Sequence, residues 1–162
     1  MNHPLERLRS LGYELPAAPT AMAAYVPTRL VPLGEGRGLL FIAGQVPVRD
    51  GRFLTGRVPD QVSLEEAREA ARLCALNLLA QIEAAVGLEA VIEVAQVNGW
   101  VLSADDFQGQ PQVIDACSTL LTEVLGEAGR HARTALGTNA LPRGVTCEIN
   151  ATVVVRTPVG ES

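Results

Sequence analysis

The sequence predicts an α+β domain in which helices pack on one face of a mixed β-sheet. Its predicted elements follow the order strand, strand, helix, strand, helix, strand, strand. A doubly wound parallel sheet would instead require regular alternation of strands and helices. Apolar residues alternate every second position in the predicted strands and recur every third or fourth in the helices. With 162 residues, the chain has a length typical of one domain.

Three stretches divide the chain. Residues 1–22 form a predicted N-terminal extension that carries a short amphipathic helix, Pro4–Leu11, ended by Gly12. Residues 23–157 form the predicted single domain, and residues 158–162 a C-terminal tail. The role of the extension does not follow from its composition.

The domain is predicted to begin with two strands, Tyr25–Leu33 and Leu39–Val46. The linking segment, Gly34–Gly38, superficially resembles a phosphate-binding loop. A nucleotide site would need a helix N-terminus directly after the glycines, whereas a strand follows here. We therefore expect a hairpin turn, and a second tight hairpin at Asp50-Gly51.

A capping box marks the start of the first main helix. Ser63 can accept a hydrogen bond from the Glu66 amide while the Glu66 carboxylate reaches back to Ser63. Gly87 ends the pattern. The predicted core face is Leu64, Ala67, Ala71, Cys74, Leu78, Ile82 and Ala85.

The second half repeats the strand and helix signals. Val91–Leu102 alternates as a long strand, and Pro111 suits the first turn of a helix that ends near Gly126. Ala132–Ala140 and Val145–Val155 are the last predicted strands. The apolar stripe of the helix is Ile114, Cys117, Leu121 and Val124.

Charge composition argues against nucleic acid as the main partner. The formal net charge is −5 and the pI about 5.0, whereas proteins that neutralise phosphates carry a basic face. Charged residues make up 19% of the chain, below the roughly 25% typical of soluble domains. This indicates either surface hidden against other copies or simply a large core.

Cysteine usage indicates a reducing compartment. Cys74, Cys117 and Cys147 are odd in number and widely spaced, which disfavours both a disulfide framework and a zinc site. We expect Cys74 and Cys117 to be small core residues. The start of the chain lacks a signal-like apolar stretch, and no apolar run is long enough to span a membrane. The expectation is a cytoplasmic protein with no membrane partner.

Several short segments together resemble one known family. From Ala24 to Arg156 their order and spacing are similar to those of the RidA family, also called YjgF or L-PSP-like proteins. The segments are Ala24-Tyr25-Val26, Phe41-Ile42-Ala43-Gly44-Gln45-Val46-Pro47, Asp105-Asp106-Phe107, Ala132-Arg133-Thr134, Leu141-Pro142 and Cys147-Glu148-Ile149.

The resemblance implies a fold like that of bacillus-type chorismate mutase and a homotrimer with a barrel-like core of three sheets. Ligand clefts would lie between subunits. It also implies a deaminase, a hydrolase that converts enamines and imines such as 2-aminoacrylate to 2-keto acids and ammonia without cofactor or metal. Two other interpretations stay open: a non-catalytic trimer that binds or senses a small carboxylated metabolite, and an L-PSP-type endoribonuclease.

Two residues carry the implied chemistry. Arg133 matches the family arginine that holds the ligand carboxylate, for which a planar guanidinium is suited. Glu148 matches the glutamate that orients or deprotonates water, a task for a carboxylate partly removed from solvent. The alternatives are an ion pair of Arg133 at a surface or interface, and Glu148 as a buried partner of an arginine.

Three further residues are implied to contact substrate. Tyr25 matches a tyrosine that reaches the neighbouring subunit's cleft, although an aromatic at the head of a strand often only packs. Gly44 matches a glycine that lets the backbone approach the ligand, and its alternative is a strand bulge. Ala135 stands where many members carry cysteine.

The chain also departs from the family pattern. Ala43 replaces a common serine, and Pro111 replaces an expected asparagine. These two changes favour the non-catalytic binder over the deaminase. His131 should share a strand face with Arg133 and could transfer protons or lie at a solvated strand edge. Trp100 is expected to pack under a helix.

Overall fold

The computed structural model describes residues 3–159 and confirms the α+β class. In that range, the main sheet has five strands in the order β1-β2-β7-β5-β6, all antiparallel except the β5–β6 pair. The predictions for residues 1–2 and 160–162 lie outside the described residues. In chain order the elements are α1 (Pro4–Ser10), β1 (Thr28–Gly34), β2 (Arg37–Gln45), β3 (Val48–Arg49), β4 (Arg52–Phe53), α2 (Leu64–Ala85), β5 (Val91–Leu102), α3 (Gln110–Leu125), β6 (Ala132–Thr138) and β7 (Cys147–Arg156).

Helix α2 begins at the predicted capping box, in which both reciprocal hydrogen bonds between Ser63 and Glu66 are present. The middle of the predicted stripe is buried, but Leu64 and Ala85 at its two ends are exposed. The apolar face therefore ends one turn earlier at each end than the sequence spacing predicts. Its buried members are Ala67, Ala71, Cys74, Leu78 and Ile82.

Helix α3 packs beside α2 on the same face of the sheet, and its predicted stripe is buried throughout. Pro111 occupies the first turn, and Gly126 ends the helix with a left-handed φ of 67°. Cys74 and Cys117 are core residues, as predicted. Within residues 3–159, no helix combines the length and apolar character needed to cross a bilayer.

Both predicted hairpins are present. Glu35 (φ 54°) and Gly36 (φ 70°) turn β1 into β2, and Asp50 (φ 51°) and Gly51 (φ 73°) turn β3 into β4. Two successive left-handed residues give the twist that adjoining antiparallel strands require. The glycine cluster at residues 34–38 is therefore a hairpin and not a phosphate loop.

The prediction for Trp100 is wrong. Val97 and Val101 on β5 are fully buried toward the helices, and Trp100 lies between them in the alternation, paired with Glu148 on β7. Its side chain consequently points to the opposite face, which the helices leave open. We call this the open face; Phe41 and Leu136 on it are exposed.

The N-terminal extension crosses from the helix layer to the edge of the sheet. Leu8 of α1 is buried in the core, and α1 packs on α3. Further along, the Pro19 carbonyl accepts a hydrogen bond from Gln81 Nε2 of α2 at 2.6 Å. The segment then bends at residues 22–25, so β1 begins at Thr28 rather than at the predicted Tyr25.

Candidate functional site

Glu148 lies on the open face of the sheet because of the alternation along β7. Its neighbours Cys147 and Ile149 are fully buried toward the helices, and Glu148 therefore points the other way. The side chain lines a cavity of about 500 Å³, which we call the Glu148 cleft. The cleft is lined by Met22, Ala23, Tyr25, Ala43, Gly44, Val46, Pro142, Arg143 and Glu148.

Gly44 brings the backbone of β2 against the Glu148 side chain. A β-carbon at residue 44 would lie 2.6 Å from Glu148 Oε1 and 3.0 Å from Cδ. The register of β2 against β7 shifts between Ile42 and Gln45, so Gly44 also sits at an irregularity in the strand. The strand bulge is therefore present at Gly44, and the close approach seen here is to Glu148, while an approach of this backbone to a ligand stays a prediction.

The Glu148 carboxyl has no recorded ion pair or hydrogen bond among residues 3–159. It is half-buried, and burial raises its pKa above the ordinary value for glutamate. Desolvation, which disfavours the charged form, is the cause of this rise. A carboxyl group with a raised pKa holds a proton more readily than an ordinary glutamate, which suits it to accept and return one.

The N-terminal extension forms one wall of the Glu148 cleft. Met22 and Tyr25 line it, and the Met22 amide donates a hydrogen bond to the Tyr25 hydroxyl at 3.4 Å. The opposite wall is tied to α2, because Gln81 donates to Gln45, which donates to the Ala43 carbonyl at 2.9 Å. The buried residues Gln45 and Gln81 were not singled out from the sequence. The available signal was a glutamine within the apolar face of helix α2, and it points to Gln81.

Arg133 lies elsewhere, on the helix side of edge strand β6. It pairs in register with Val97, whose side chain is buried toward the helices. Its Nη1 donates to Asp115 Oδ1 of α3 at 2.7 Å and to Ser118 Oγ at 3.2 Å. A shallow cavity of about 260 Å³, the Arg133 cleft, is lined by Ser118, Thr122, Arg130, His131 and Arg133.

His131 shares the face of Arg133, as the two-residue spacing predicts. His131 Nδ1 must donate to the Gly129 carbonyl, 2.7 Å away, because a carbonyl only accepts. In the neutral ring, Nε2 then accepts from Ser118 Oγ at 2.9 Å. Burial, aided by the charge of Arg133 and opposed by the Gly129 bond, lowers the pKa of His131, so the ring is held neutral.

Within one chain, therefore, the predicted site residues fall into two groups on opposite faces of the sheet. Tyr25, Gly44 and Glu148 share the Glu148 cleft. Arg133 lies in the second cleft, and Ala135, opposite Gly99, packs against the core on the same side as Arg133.

Arg143 is a charged residue of the Glu148 cleft that sequence reasoning missed. It follows the Leu141-Pro142 pair, which was noted only as a family motif and as a break between strands. Its Cζ lies 4.7 Å from the ring centroid of Phe53 on β4. Among residues 3–159, no three His, Cys, Asp or Glu side chains are grouped so as to hold a metal ion.

The chain has relatives along most of its length. Protein TCP17 of Trypanosoma cruzi is 38% identical over 149 residues, which cover 90% of each chain. Among solved structures, Atu1372 of Agrobacterium tumefaciens is 40% identical with a TM-score of 0.84, covering 94% of this chain and 92% of that one. A protein of Shewanella oneidensis described as a "putative endoribonuclease" is 29% identical with a TM-score of 0.87, covering 94% and 99%.

A family description fits the same span. Residues 5–153 match the family described as "YjgF/chorismate mutase-like, putative endoribonuclease". The matched range includes the Glu148 cleft, the Arg133 cleft and the whole sheet apart from the last three residues of β7. The chain therefore belongs to the YjgF family, the RidA family that its motifs resemble.

Proposed function

We propose that the protein hydrolyses small enamines and imines of the 2-aminoacrylate type to 2-keto acids and ammonia. The observation that carries this proposal is the carboxyl group of Glu148, which is half-buried, without a partner among the described residues, and raised in pKa by its burial. It lies in a cleft large enough for a small ligand. Such a group can take a proton from water and return it within one reaction cycle.

In the proposed reaction, an enamine first tautomerises to the imine. Water attacks the imine carbon, and Glu148 accepts one proton from that water as the new C–O bond forms. The proton then passes to the nitrogen of the tetrahedral intermediate. The hydroxyl group of the intermediate then gives its remaining proton to the nitrogen as the C–N bond breaks, so ammonia leaves and the carbon becomes the carbonyl of a 2-keto acid. The overall reaction consumes one molecule of water and needs no other co-reactant.

We further propose that Arg133 joins this reaction from a neighbouring subunit of a homotrimer. Within one chain, Arg133 and Glu148 lie in different clefts on opposite sides of the sheet. A second copy could place the exposed edge strand β6 beside the Glu148 cleft. The open face supports assembly, because Phe41 is 44% and Leu136 52% exposed on a sheet face that helices do not cover.

A non-catalytic binder is the second candidate, and a specific observation favours it. Ala43 lines the cleft where active relatives commonly have serine, so Glu148 lacks a hydroxyl that could help to orient water. The endoribonuclease interpretation derives from the family description. The net charge of −5 opposes RNA binding, and any RNA cleavage should disappear on further purification.

The test is an ammonia-release assay in which an amino-acid oxidase generates imines in place. The wild-type protein should accelerate ammonia and 2-keto acid formation, and Glu148→Gln should abolish the acceleration while small 2-keto acids still bind. A protein that binds 2-keto acids but gives no acceleration above the spontaneous rate would contradict the enzyme and support the binder.

A further inference from the structure

Arg143 gives the Glu148 cleft a cation of its own. It lines the cavity together with Pro142 and Glu148. Its guanidinium has no recorded carboxylate partner or hydrogen bond within residues 3–159, so its donors are available to a ligand. By contrast, five other arginines pair with carboxylates in that range, namely Arg57, Arg68, Arg72, Arg130 and Arg133.

The backbone at Arg143 is in the left-handed region, with φ 58° and ψ 12°. Residues with a β-carbon adopt this conformation at an energetic cost, and glycine, asparagine and aspartate do so most readily. Gly144 follows with a φ of 67°. The turn thus holds a long cationic side chain at a position that favours glycine, and conformations of this kind cluster at ligand sites.

Phe53 fixes the orientation of the Arg143 guanidinium. The 4.7 Å separation between Cζ and the ring centroid is that of a cation–π contact. Such a contact engages the guanidinium without using its N–H donors. A planar fork held in this way can bind both oxygens of a carboxylate with little further loss of side-chain freedom.

Resting on the proposed function, we infer that Arg143 selects substrates with a second carboxylate at the end of their side chain, the imines of dicarboxylic amino acids. Arg133 holds the carboxylate beside the reacting carbon, and Arg143 holds the distal one. Apolar residues of the cleft, Met22 and Val46, face the methylene groups between them. The cavity of about 500 Å³ has room for such a chain.

The test compares two keto acids by calorimetry, and so does not depend on turnover. The probes 2-oxoglutarate and 2-oxopentanoate have the same carbon skeleton and differ by a terminal carboxylate against a methyl group. The wild-type protein should prefer 2-oxoglutarate by about tenfold, the value of one charge-assisted pair at an exposed side chain. Arg143→Ala should remove the preference, and Arg143→Lys should retain part of it.

Arg52→Ala is the matched control. Arg52 precedes Phe53 on β4 and carries the same charge, but it does not line the cleft. This variant should keep the full preference. Equal binding of the two probes by the wild-type protein, or an unchanged preference in Arg143→Ala, would overturn this inference alone. Failure of the wild-type protein to bind either probe would contradict both the inference and the proposed function.

Discussion

Gly44 and Glu148 face each other so closely that a β-carbon at residue 44 would lie 2.6 Å from the carboxylate oxygen Oε1. The two residues belong to neighbouring strands, β2 and β7, at the irregularity in their pairing. A glycine therefore sets where the Glu148 carboxyl can lie. Because Gly44 has no β-carbon, the Glu148 carboxyl, the proposed proton acceptor, can occupy this position.

Gly44→Ala tests this dependence. The backbone of Gly44 does not have a positive φ, and the atoms that would be contacted belong to the flexible Glu148 side chain. We expect unfolding free energy to change by less than about 1 kcal/mol. Imine hydrolysis should fall about a hundredfold, because small displacements of a reacting group are costly. Chemical denaturation and ammonia release measure the two effects, and full activity with the methyl group present would contradict the close-approach account.

Asp115 should weaken ligand binding by Arg133, because its carboxylate already occupies Nη1 at 2.7 Å. Asp115→Asn removes the competing charge, and the affinity for 2-keto acids should rise about threefold, as expected for a half-exposed pair. Asp106→Asn makes the same charge change on an exposed loop residue that has no salt bridge within residues 3–159, and it should have no effect. Calorimetry measures both. If Asp115→Asn weakens binding instead, Asp115 positions the arginine rather than competing for it.

The raised pKa of Glu148 predicts a pH-dependent change in stability. The folded state binds the Glu148 proton more tightly than the unfolded state does. The protonated carboxyl therefore contributes its full stabilisation below the ordinary glutamate pKa, and this contribution is lost as the pH rises through the pKa of Glu148 in the folded state. Glu148→Gln should therefore stabilise the protein at pH about 7 by less than about 1 kcal/mol, solvent screening limiting the gain. The gain should vanish below pH about 4.

Denaturant unfolding at several pH values measures this difference. The matched control is Glu123→Gln, at an exposed carboxylate of α3 that forms no salt bridge in the described part of the chain, and it should show little pH-dependent difference. An equal gain in both variants would show that net charge, and not the burial of Glu148, causes the effect.

The three cysteines should be unreactive in the native protein. All are buried, and burial raises the pKa of the Cys74 and Cys117 thiols, so little reactive thiolate is present. Cys74 Sγ and Cys147 Sγ are 3.7 Å apart and share a hydrogen bond rather than a disulfide. Ellman's reagent should label none of the three rapidly in buffer and all three in denaturant. Rapid labelling of one thiol in buffer would contradict the packing of the element that carries it, which is α2 for Cys74, α3 for Cys117 and β7 for Cys147.

The sequence predicts the fold well because its signals are local. The capping box at Ser63, the alternation along β7 and the turn at Asp50-Gly51 each depend on residues close in the chain. The prediction for Trp100 failed because the direction of a strand side chain depends on register, and apolar character alone does not reveal which face of the sheet is covered.

The site is less predictable for the same reason. Arg133 and Glu148 are fifteen positions apart in a shared motif, yet the sheet places them on opposite faces. Arg143 enters the Glu148 cleft only because a left-handed turn brings it over Phe53. Those relationships arise from tertiary packing, which short-range patterns do not encode.

Subunit complementation tests most directly whether one site combines Glu148 of one chain with Arg133 of another. Arg133→Ala and Glu148→Gln should each be inactive but should keep a mass about three times the 17.1 kDa chain mass. When the two variants are co-expressed in equal amounts, each cleft draws its two residues from different chains at random. About a quarter of the clefts then contain both native residues, so the mixed protein should recover about a quarter of wild-type imine hydrolysis. A mixture that forms trimers yet recovers no activity would contradict the account, because the two residues would then have to act within one chain.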